Sequence, residues 1–167
     1  TPVTVQNEPV LNASANNPIV CINGVSVIST TITGGSGSFV YQWQISPDGT
    51  SNWNNVSSGG NGPTYNVPTS TAGTFYYRII LTDTANGCDD PAPVVVLIEV
   101  ESQPTVSISA TNTNLCIGGS STISSVVSNG SGFFTYQWQS SADATSWANI
   151  TNQGNGVSYN VPTGTPN

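Results

Sequence analysis

The chain contains few side chains of the kind that catalyse reactions. Its 167 residues include no His, one basic residue, Arg78, and eight acidic residues. Without His, an ordinary Ser or Cys nucleophile has no general base, and the scattered carboxylates form no paired arrangement on strands. The sequence therefore predicts that the protein is not an enzyme.

The charge balance also excludes two classes of partner. The net charge is −7 at pH 7, and one Arg cannot form a cationic patch. Nucleic acids and anionic membrane surfaces are both recognised through clusters of Lys and Arg. The sequence also has no apolar stretch long enough for a membrane span. We therefore expect neither nucleic-acid binding nor membrane insertion.

One polar loop has the residue types of a cation site. It carries Asp83, Asn86, Asp89 and Asp90 within eight positions. Carboxylate and amide oxygens are ligands that Ca²⁺ prefers, and a bound calcium ion would stiffen a junction between domains. The alternative is a solvated acidic loop without metal. No other cofactor is predicted.

The three cysteines recur with a period. Cys21 and Cys116 are 95 positions apart, and Cys88 would have its counterpart beyond residue 167. Two cysteines per period indicate an oxidising, extracellular environment. A bridge between Cys21 and Cys88 within one period is one interpretation. In the others, bridges link neighbouring periods or the cysteines stay reduced.

The four tryptophans fall into two pairs. Trp43 and Trp138 lie in alternating segments, FVYQWQI and FTYQWQS, and are predicted to be core residues, as is Tyr77. Trp53 and Trp147 follow turns, where partial exposure is expected. These two are candidates for stacking on sugars, with packing against the turn as the alternative.

The positions of these residues show that the chain is a tandem repeat. Trp43 and Trp138 share the spacing of 95, and Trp53 and Trp147 differ by 94, which indicates one deletion in a turn. Alternating apolar segments separated by Gly, Pro, Asn and Asp predict about seven strands per repeat. The expected fold class is all β, with a thin sandwich in each repeat.

The repeat sets the expected domain boundaries. Residues 9–103 form the first repeat and residues 104–167 the second, which lacks the last two strands of the first. Residues 1–8 match the end of the first repeat and are predicted to be the last strand of a preceding one. A sandwich without two strands would expose its core. We therefore expect either a longer array or strands supplied by a neighbouring molecule.

These residues resemble those of a known family. The repeat is similar to the immunoglobulin-like repeats of large bacterial surface adhesins and gliding-associated proteins that are exported by type IX secretion. The matching segments are Val20-Cys21-x-x-Gly24, Tyr41-Gln-Trp43-Gln, Ser46-x-Asp48-Gly49 and Thr82-Asp83-x-x-Asn86-Gly87-Cys88, followed by Leu115-Cys116-x-x-Gly119, Tyr136-Gln-Trp138-Gln and Ser141-x-Asp143.

The resemblance adds an expectation about the cysteines. Tyr77 stands where antibody-type domains have a cysteine of the bridge between sheets, and Phe75 replaces their corner Tyr. Immunoglobulin topology would place Cys21 and the loop of Cys88 at opposite ends of the sandwich. In that topology Cys21 would face the last hairpin of a neighbouring domain.

The resemblance implies a non-enzymatic segment of a long extracellular surface protein, serving as a stalk or adhesive array. Its expected partners are neighbouring repeats or like subunits, together with surface glycans or cell-surface proteins of a host. One alternative is a filament subunit assembled by strand donation from residues 1–8. Another is a carbohydrate-binding module that uses Trp53 or Trp147.

Overall fold

The structure is a computed structural model that describes residues 3, 5–84, 88–130, 132–162 and 164. The chain divides into two compact units, Thr1–Gln103 and Pro104–Asn167. Every regular element among the described residues is a β-strand. The all-β prediction is therefore confirmed.

Unit 1 contains eight strands. They are β1 (Val10–Ala15), β2 (Ile19–Cys21), β3 (Val27–Thr33), β4 (Phe39–Ser46), β5 (Asn54–Asn55), β6 (Thr64–Asn66), β7 (Gly73–Asp83) and β8 (Val94–Glu101). They form a three-stranded sheet in the order β1-β3-β6 and a five-stranded sheet in the order β2-β8-β7-β4-β5.

The first segment of unit 1, residues 10–21, is divided between the two sheets. β1 pairs antiparallel with β3, whereas β2 pairs in parallel with β8. The change occurs at Asn16-Asn17-Pro18, where the Asn16 side chain accepts a hydrogen bond from Val27 N–H at 2.7 Å. Pro18 has no N–H, but its carbonyl accepts from Glu99 N–H at 2.8 Å. The first segment therefore joins the two sheets along one edge.

The core of unit 1 lies between the two sheets. β7 alternates strictly over Tyr77, Ile79 and Leu81, each at most 1% exposed. Trp43 on β4 and Ile28 on β3 are fully buried and belong to the same cluster. Full burial of one such side chain contributes about 1.5–3 kcal/mol. The aromatic strand β4 and its partner β7 therefore supply much of the hydrophobic stabilisation.

Unit 2 repeats the first half of this plan. Its strands are β9 (Thr105–Ala110), β10 (Ser121–Ser128), β11 (Gln139–Ser140), β12 (Ala148–Asn149) and β13 (Ser158–Val161). The sheet order β13-β10-β9 corresponds to β6-β3-β1, and β11-β12 corresponds to β4-β5. The register is also kept, since Ile123 faces Ala110 and Tyr159 as Ile28 faces Ala15 and Tyr65.

The described part of unit 2 has no counterpart of β7 and β8. Positions that face inward in unit 1 are consequently open in unit 2. Val106 is 63% exposed, whereas the equivalent Leu11 is 6% exposed. One face of unit 2, formed by β9 and the segment before β11, is therefore apolar and uncovered.

Residues 3 and 5–8 form no strand. Val3 and Val5 are about nine-tenths exposed, at 89% and 90%. Asn7 and Glu8 contact unit 1 through hydrogen bonds from Gly35 N–H at 2.7 Å and Asp89 N–H at 2.7 Å. The assignment of residues 1–8 to a preceding repeat stays a prediction.

Candidate functional site

The two tryptophans of the alternating segments lie inside their units. Trp43 is 0% exposed, and its indole N–H donates to Gly62 O at 3.0 Å. Trp138 is 8% exposed and donates to Gly156 O at 2.9 Å. Because both indoles face inward and are hydrogen-bonded to a carbonyl, neither is a platform for a ligand.

Trp53 packs against the only cationic side chain of the protein. The guanidinium carbon of Arg78 lies 4.5 Å from the centroid of the Trp53 ring, and Arg78 Nε–H donates to Gln44 Oε1 at 2.7 Å. Arg78 is on β7, so this contact holds the turn before β5 against the sheet. Trp53 is therefore occupied by packing within the unit.

Trp147 has a different environment from Trp53. It is 57% exposed, and the described residues of unit 2 include no strand equivalent to β7 that could supply a cation. Of the two candidates for sugar stacking, Trp147 alone presents most of its ring to solvent. Its role in binding stays a prediction.

Three of the four predicted calcium residues, Asp83, Asp89 and Asp90, form hydrogen bonds within unit 1. Asp83 is 8% exposed, and its carboxylate accepts from Ser36 N–H at 2.7 Å and from the Ser36 hydroxyl. Asp83 N–H donates to Asp90 Oδ1 at 2.8 Å. Asp89 belongs to the same loop and donates its N–H to Glu8. The loop therefore joins the start of the unit to the end of β7.

No metal-binding group is evident in this loop as far as it is described. Among the described residues, no three His, Cys, Asp or Glu side chains are placed to hold a metal ion together. Asn86, the fourth predicted ligand, lies outside the described residues. The calcium site stays a prediction.

Cys21 and Cys88 lie at opposite ends of unit 1. Cys21 is opposite Glu101 at the end of β8, next to the start of β7, whereas Cys88 follows the end of β7. β7 has 11 residues, which corresponds to roughly 30 Å of extended chain. A disulfide needs Cα atoms within about 7 Å. A Cys21–Cys88 bridge within the unit is therefore incompatible with this fold.

The thiols differ in their surroundings. Cys88 is partly buried, and this desolvation raises its pKa, with smaller contributions from the carboxylates of Glu8, Asp83 and Asp89. Cys116 is exposed. The neutral thiol of Cys88 is thus favoured in the reduced protein, because a thiolate there would lose hydration and face negative charges.

The Ser-x-Asp turns are structural in both units. Asp48 accepts hydrogen bonds from the N–H groups of Thr50 and Ser51 at 2.9 and 2.7 Å. Asp143 accepts equivalent bonds from Thr145 and Ser146, both at 2.8 Å. The Ser51 hydroxyl, followed by the backbone N–H groups of Ser51 and Thr50, lowers the pKa of Asp48. The backbone N–H groups of Ser146 and Thr145 lower the pKa of Asp143. A carboxylate that accepts this many bonds from its own turn is not a catalytic acid.

Sequence reasoning missed a cleft between the free edges of the two sheets of unit 1, near β5 and β6. Its volume is about 340 Å³, and its walls include Asn55, Tyr65, Phe75 and Tyr77. The strand pattern indicated that Tyr77 faces inward, and it gave no orientation for Tyr65. It did not indicate that they share a cleft, because they belong to different sheets.

The fold defines the class of protein. One sheet follows the order of strands A, B and E of an immunoglobulin domain, and the other follows G, F, C and C′. The protein is an immunoglobulin-like β-sandwich protein.

A family comparison assigns the chain more narrowly. The model of a family described as "Domain of unknown function (DUF8696)" matches residues 11–102, which is more than half of the chain. The chain therefore belongs to this family. A comparison with curated proteins finds no match.

Solved structures include a chain with some similarity. The chain is similar to the structure titled "Crystal structure of Dscam1 isoform 7.44, N-terminal four Ig domains", with 10% sequence identity and a TM-score of 0.41. The similarity covers 99% of this chain and 41% of that chain. The part of the protein that the structure describes contains no helix long and apolar enough to cross a membrane.

Proposed function

We propose that this protein is a non-enzymatic segment of a long extracellular surface protein of bacteria, in which immunoglobulin-like repeats form a stalk or adhesive array. The observation that carries the proposal is the repetition of structural detail between the units. The backbone N–H of Trp43 donates to Gly60 O, and in unit 2 the backbone N–H of Trp138 donates to Gly154 O, both at 2.7 Å. Repeats that keep such details are units of one array.

The mechanism of an array is geometric. Unit 1 buries its own core, so each further repeat of this kind lengthens the array and brings the same kind of core with it. Lys and Arg together number one, which leaves trypsin-like proteases almost no cleavage site. Both features suit an exposed extracellular protein. Its partners would be neighbouring repeats of the same kind and surface glycans or cell-surface proteins of a host.

Disulfides between repeats would strengthen the array. Cys21 and Cys88 are at opposite ends of unit 1, which suits bridges to the preceding and following repeats. The predicted calcium ion at the loop of Asp83 would stiffen the same kind of junction. A chelator that lowers the unfolding temperature would support calcium binding. No change on chelation in protein first loaded with calcium would remove that part of the proposal.

The experiment that tests the array is the intact mass of the polypeptide isolated from its source, with its disulfides mapped. A mass far above 17.2 kDa, with Cys21 joined to a Cys88 equivalent in another repeat, is the expected result. A mass near 17.2 kDa would overturn the array. Release of the polypeptide from intact cells by an external protease would test the surface location.

A second candidate function is a filament subunit in which a neighbouring molecule completes unit 2. The observation that favours it is the uncovered apolar face, where Val106 and Ile108 are 63% and 65% exposed. In unit 1 the hairpin of β7 and β8 covers the equivalent face. Sedimentation velocity over a wide concentration range would detect strand donation as reversible association.

A graft provides the control for this second candidate. Attaching residues 69–102 after Pro162 would give unit 2 its own copy of the β7–β8 hairpin. The graft should abolish association if the open face causes it. Association that persists in the grafted protein, or a parent chain that stays monomeric at all concentrations, would exclude strand donation.

A further inference from the structure

We infer that the cleft between the free sheet edges of unit 1 binds a neutral sugar ring. We call it the edge cleft, and it is defined by Asn55, Ser57, Tyr65, Ser70, Phe75 and Tyr77. It lies between β5, at the end of one sheet, and β6, at the end of the other. The inference is separate from the array proposal, which concerns chain length and disulfides.

Two buried tyrosines provide polar groups that point to a ligand. The side chains of Tyr65 and Tyr77 are 8% and 1% exposed, and their ring centroids are 5.6 Å apart. Neither hydroxyl has a hydrogen-bond partner in the part of the chain that the structure describes, and neither is among its buried unpaired polar atoms, so both open into the cleft. A hydroxyl that opens into a cleft can exchange its water for the hydroxyl of a ligand. A ligand with several hydroxyl groups would pair with both.

The edge cleft favours an uncharged ligand. No Asp, Glu, Lys or Arg is among its lining residues. Burial raises the pKa of Tyr77 to about 12, and it also raises the pKa of Tyr65, so both phenols stay neutral. Neutral phenols donate and accept hydrogen bonds, as sugar hydroxyls do.

The walls of the cleft match the two kinds of surface on a sugar ring. Ile45, Val56 and Phe75 provide apolar surface for the C–H face of a pyranose. Asn55 and Ser57 are exposed at the rim and can bind the hydroxyl edge. The volume of about 340 Å³ lies at the lower end of the range for small-ligand sites. One ring therefore fits better than a long oligosaccharide.

The sheet edge itself is poorly suited to a peptide strand. β6 has three residues and is flanked by Pro63 and Pro68, which have no N–H to donate. Short edges with prolines are a common protection against strand addition. The cleft is therefore better matched to a small polyol than to an extended peptide.

Unit 2 provides a matched comparison within the same chain. Tyr159, Asn149 and Pro162 are equivalent to Tyr65, Asn55 and Pro68, and they line a cavity of about 530 Å³. No residue equivalent to Phe75 or Tyr77 lines that cavity, because both are on β7. We expect the cavity of unit 2 to bind the same sugars more weakly.

The test is a titration of the 167-residue protein, labelled with ¹⁵N, by methyl β-glucopyranoside, methyl β-galactopyranoside and N-acetylglucosamine in turn. Saturable shifts of the amide signals of Asn55, Ser57 and Ser70 with at least one sugar are the expected result. If none of the three sugars shifts these signals, the proposal is overturned. An extended Thr-Val peptide serves as the competing probe. Shifts confined to Thr64–Asn66 with this peptide alone would identify a strand-docking edge and overturn the sugar site.

Variants separate the edge cleft from other surfaces. Tyr65→Phe and Tyr77→Phe keep the packing and remove one hydroxyl each, so each should weaken binding by about 2- to 10-fold. Tyr76→Phe, on the other face of β7, is the control and should bind normally. Asn55→Ala is an exposed change that should weaken binding without affecting folding. Normal affinity in Asn55→Ala and both cleft Tyr→Phe variants, or loss of binding only in Trp53→Ala, would contradict the assignment.

Discussion

Unit 1 and unit 2 contain nearly the same aromatic segment, but it forms a long strand only in unit 1. Phe39–Ser46 forms an eight-residue strand, β4, paired with β7 along its whole length. In unit 2 the equivalent segment contributes only the two residues of β11. The local sequences are almost identical, so the difference comes from the partner strand. Strand formation here depends on pairing more than on local propensity.

The burial of apolar side chains also depends on the partner strands. Leu11 is 6% exposed in unit 1, whereas the equivalent Val106 in unit 2 is 63% exposed. Ile28 is fully buried, whereas the equivalent Ile123 is only half-buried. The indole hydrogen bonds of Trp43 and Trp138 are nevertheless the same in both units. The turns that bind the two indoles therefore keep their geometry without the β7–β8 hairpin. The hydrophobic core, in contrast, is not closed without that hairpin.

Replacing the equivalent tryptophans should produce the largest difference between the units. Trp43→Ala should lower the free energy of unfolding of unit 1 by about 3–5 kcal/mol, because it removes a fully buried ring. Trp138→Ala should cost less, since its neighbours already contact solvent. Hydrogen exchange read separately in each unit by mass spectrometry measures both. Equal losses in the two units would show that unit 2 is as well covered as unit 1.

A glycine in the turn after β4 provides the next test. Gly49 has φ of +74° and a Cβ there would lie 2.6 Å from Tyr76 Cδ1, whereas the equivalent Ala144 has φ of +57°. Gly49→Ala should destabilise unit 1 by about 1–2 kcal/mol from the backbone, with a further loss from displacing Tyr76. Ala144→Gly should stabilise unit 2 slightly or leave it unchanged. Thermal unfolding of both variants measures the effects.

A neutral outcome for Gly49→Ala would contradict this explanation of the glycine. Ala144 is tolerated in unit 2 because no described residue of that unit occupies the place that Tyr76 has in unit 1. The graft of residues 69–102 onto unit 2 would restore that side chain. In the grafted protein, Ala144→Gly should become clearly stabilising.

The contact between Arg78 and Trp53 should give a smaller effect. Arg78→Gln removes a cation 4.5 Å from the ring centroid and should cost unit 1 about 0.5–1 kcal/mol. It should also shift the fluorescence of Trp53 to longer wavelength, toward that of the exposed Trp147. Arg78→Lys is the matched control and should keep part of the interaction. An unchanged spectrum in Arg78→Gln would mean that the cation does not hold the ring.

The Ser-x-Asp turns should respond equally to acid in both units. The pKa values of Asp48 and Asp143 are lower in the folded protein than the usual value near 3.9. Their contribution to stability is therefore present above about pH 4 and is lost as the pH falls further. Asp48→Asn and Asp143→Asn should each reduce this acid dependence in their own unit. Urea unfolding between pH 7 and pH 2 measures it, and an acid response limited to unit 1 would contradict the structural role of both turns.

The sequence predicted the fold class and the inward positions of Trp43, Trp138 and Tyr77 correctly, because alternation with a period of two is a local signal. It did not predict that the first segment changes sheets at Pro18, since no local signal indicates which sheet receives β2. The first repeat has eight strands, in agreement with the expected number of about seven. The short strand β5 escaped prediction because two residues carry no periodic pattern.

The candidate site was predicted less completely. The sequence indicated that Trp53 is partly exposed after a turn, but Arg78 is 25 positions away in the chain, and only the pairing of β4 with β7 brings the two together. A Cys21–Cys88 bridge, one of the three interpretations of the cysteines, is incompatible with this fold, as the topology implied by the resemblance led us to expect. The edge cleft was missed because it is made by the ends of two different sheets.

By itself, the sequence determined the repeat, the alternation that buries Trp43 and Tyr77, and the lack of a His-dependent active site. These properties are local or compositional, so they can be read without coordinates. The tertiary structure alone decided the order of the strands in each sheet and the contact between Tyr65 and Tyr77. The physical reason is that hydrogen bonds between strands join residues far apart in the chain, and alternation specifies a face but not a partner.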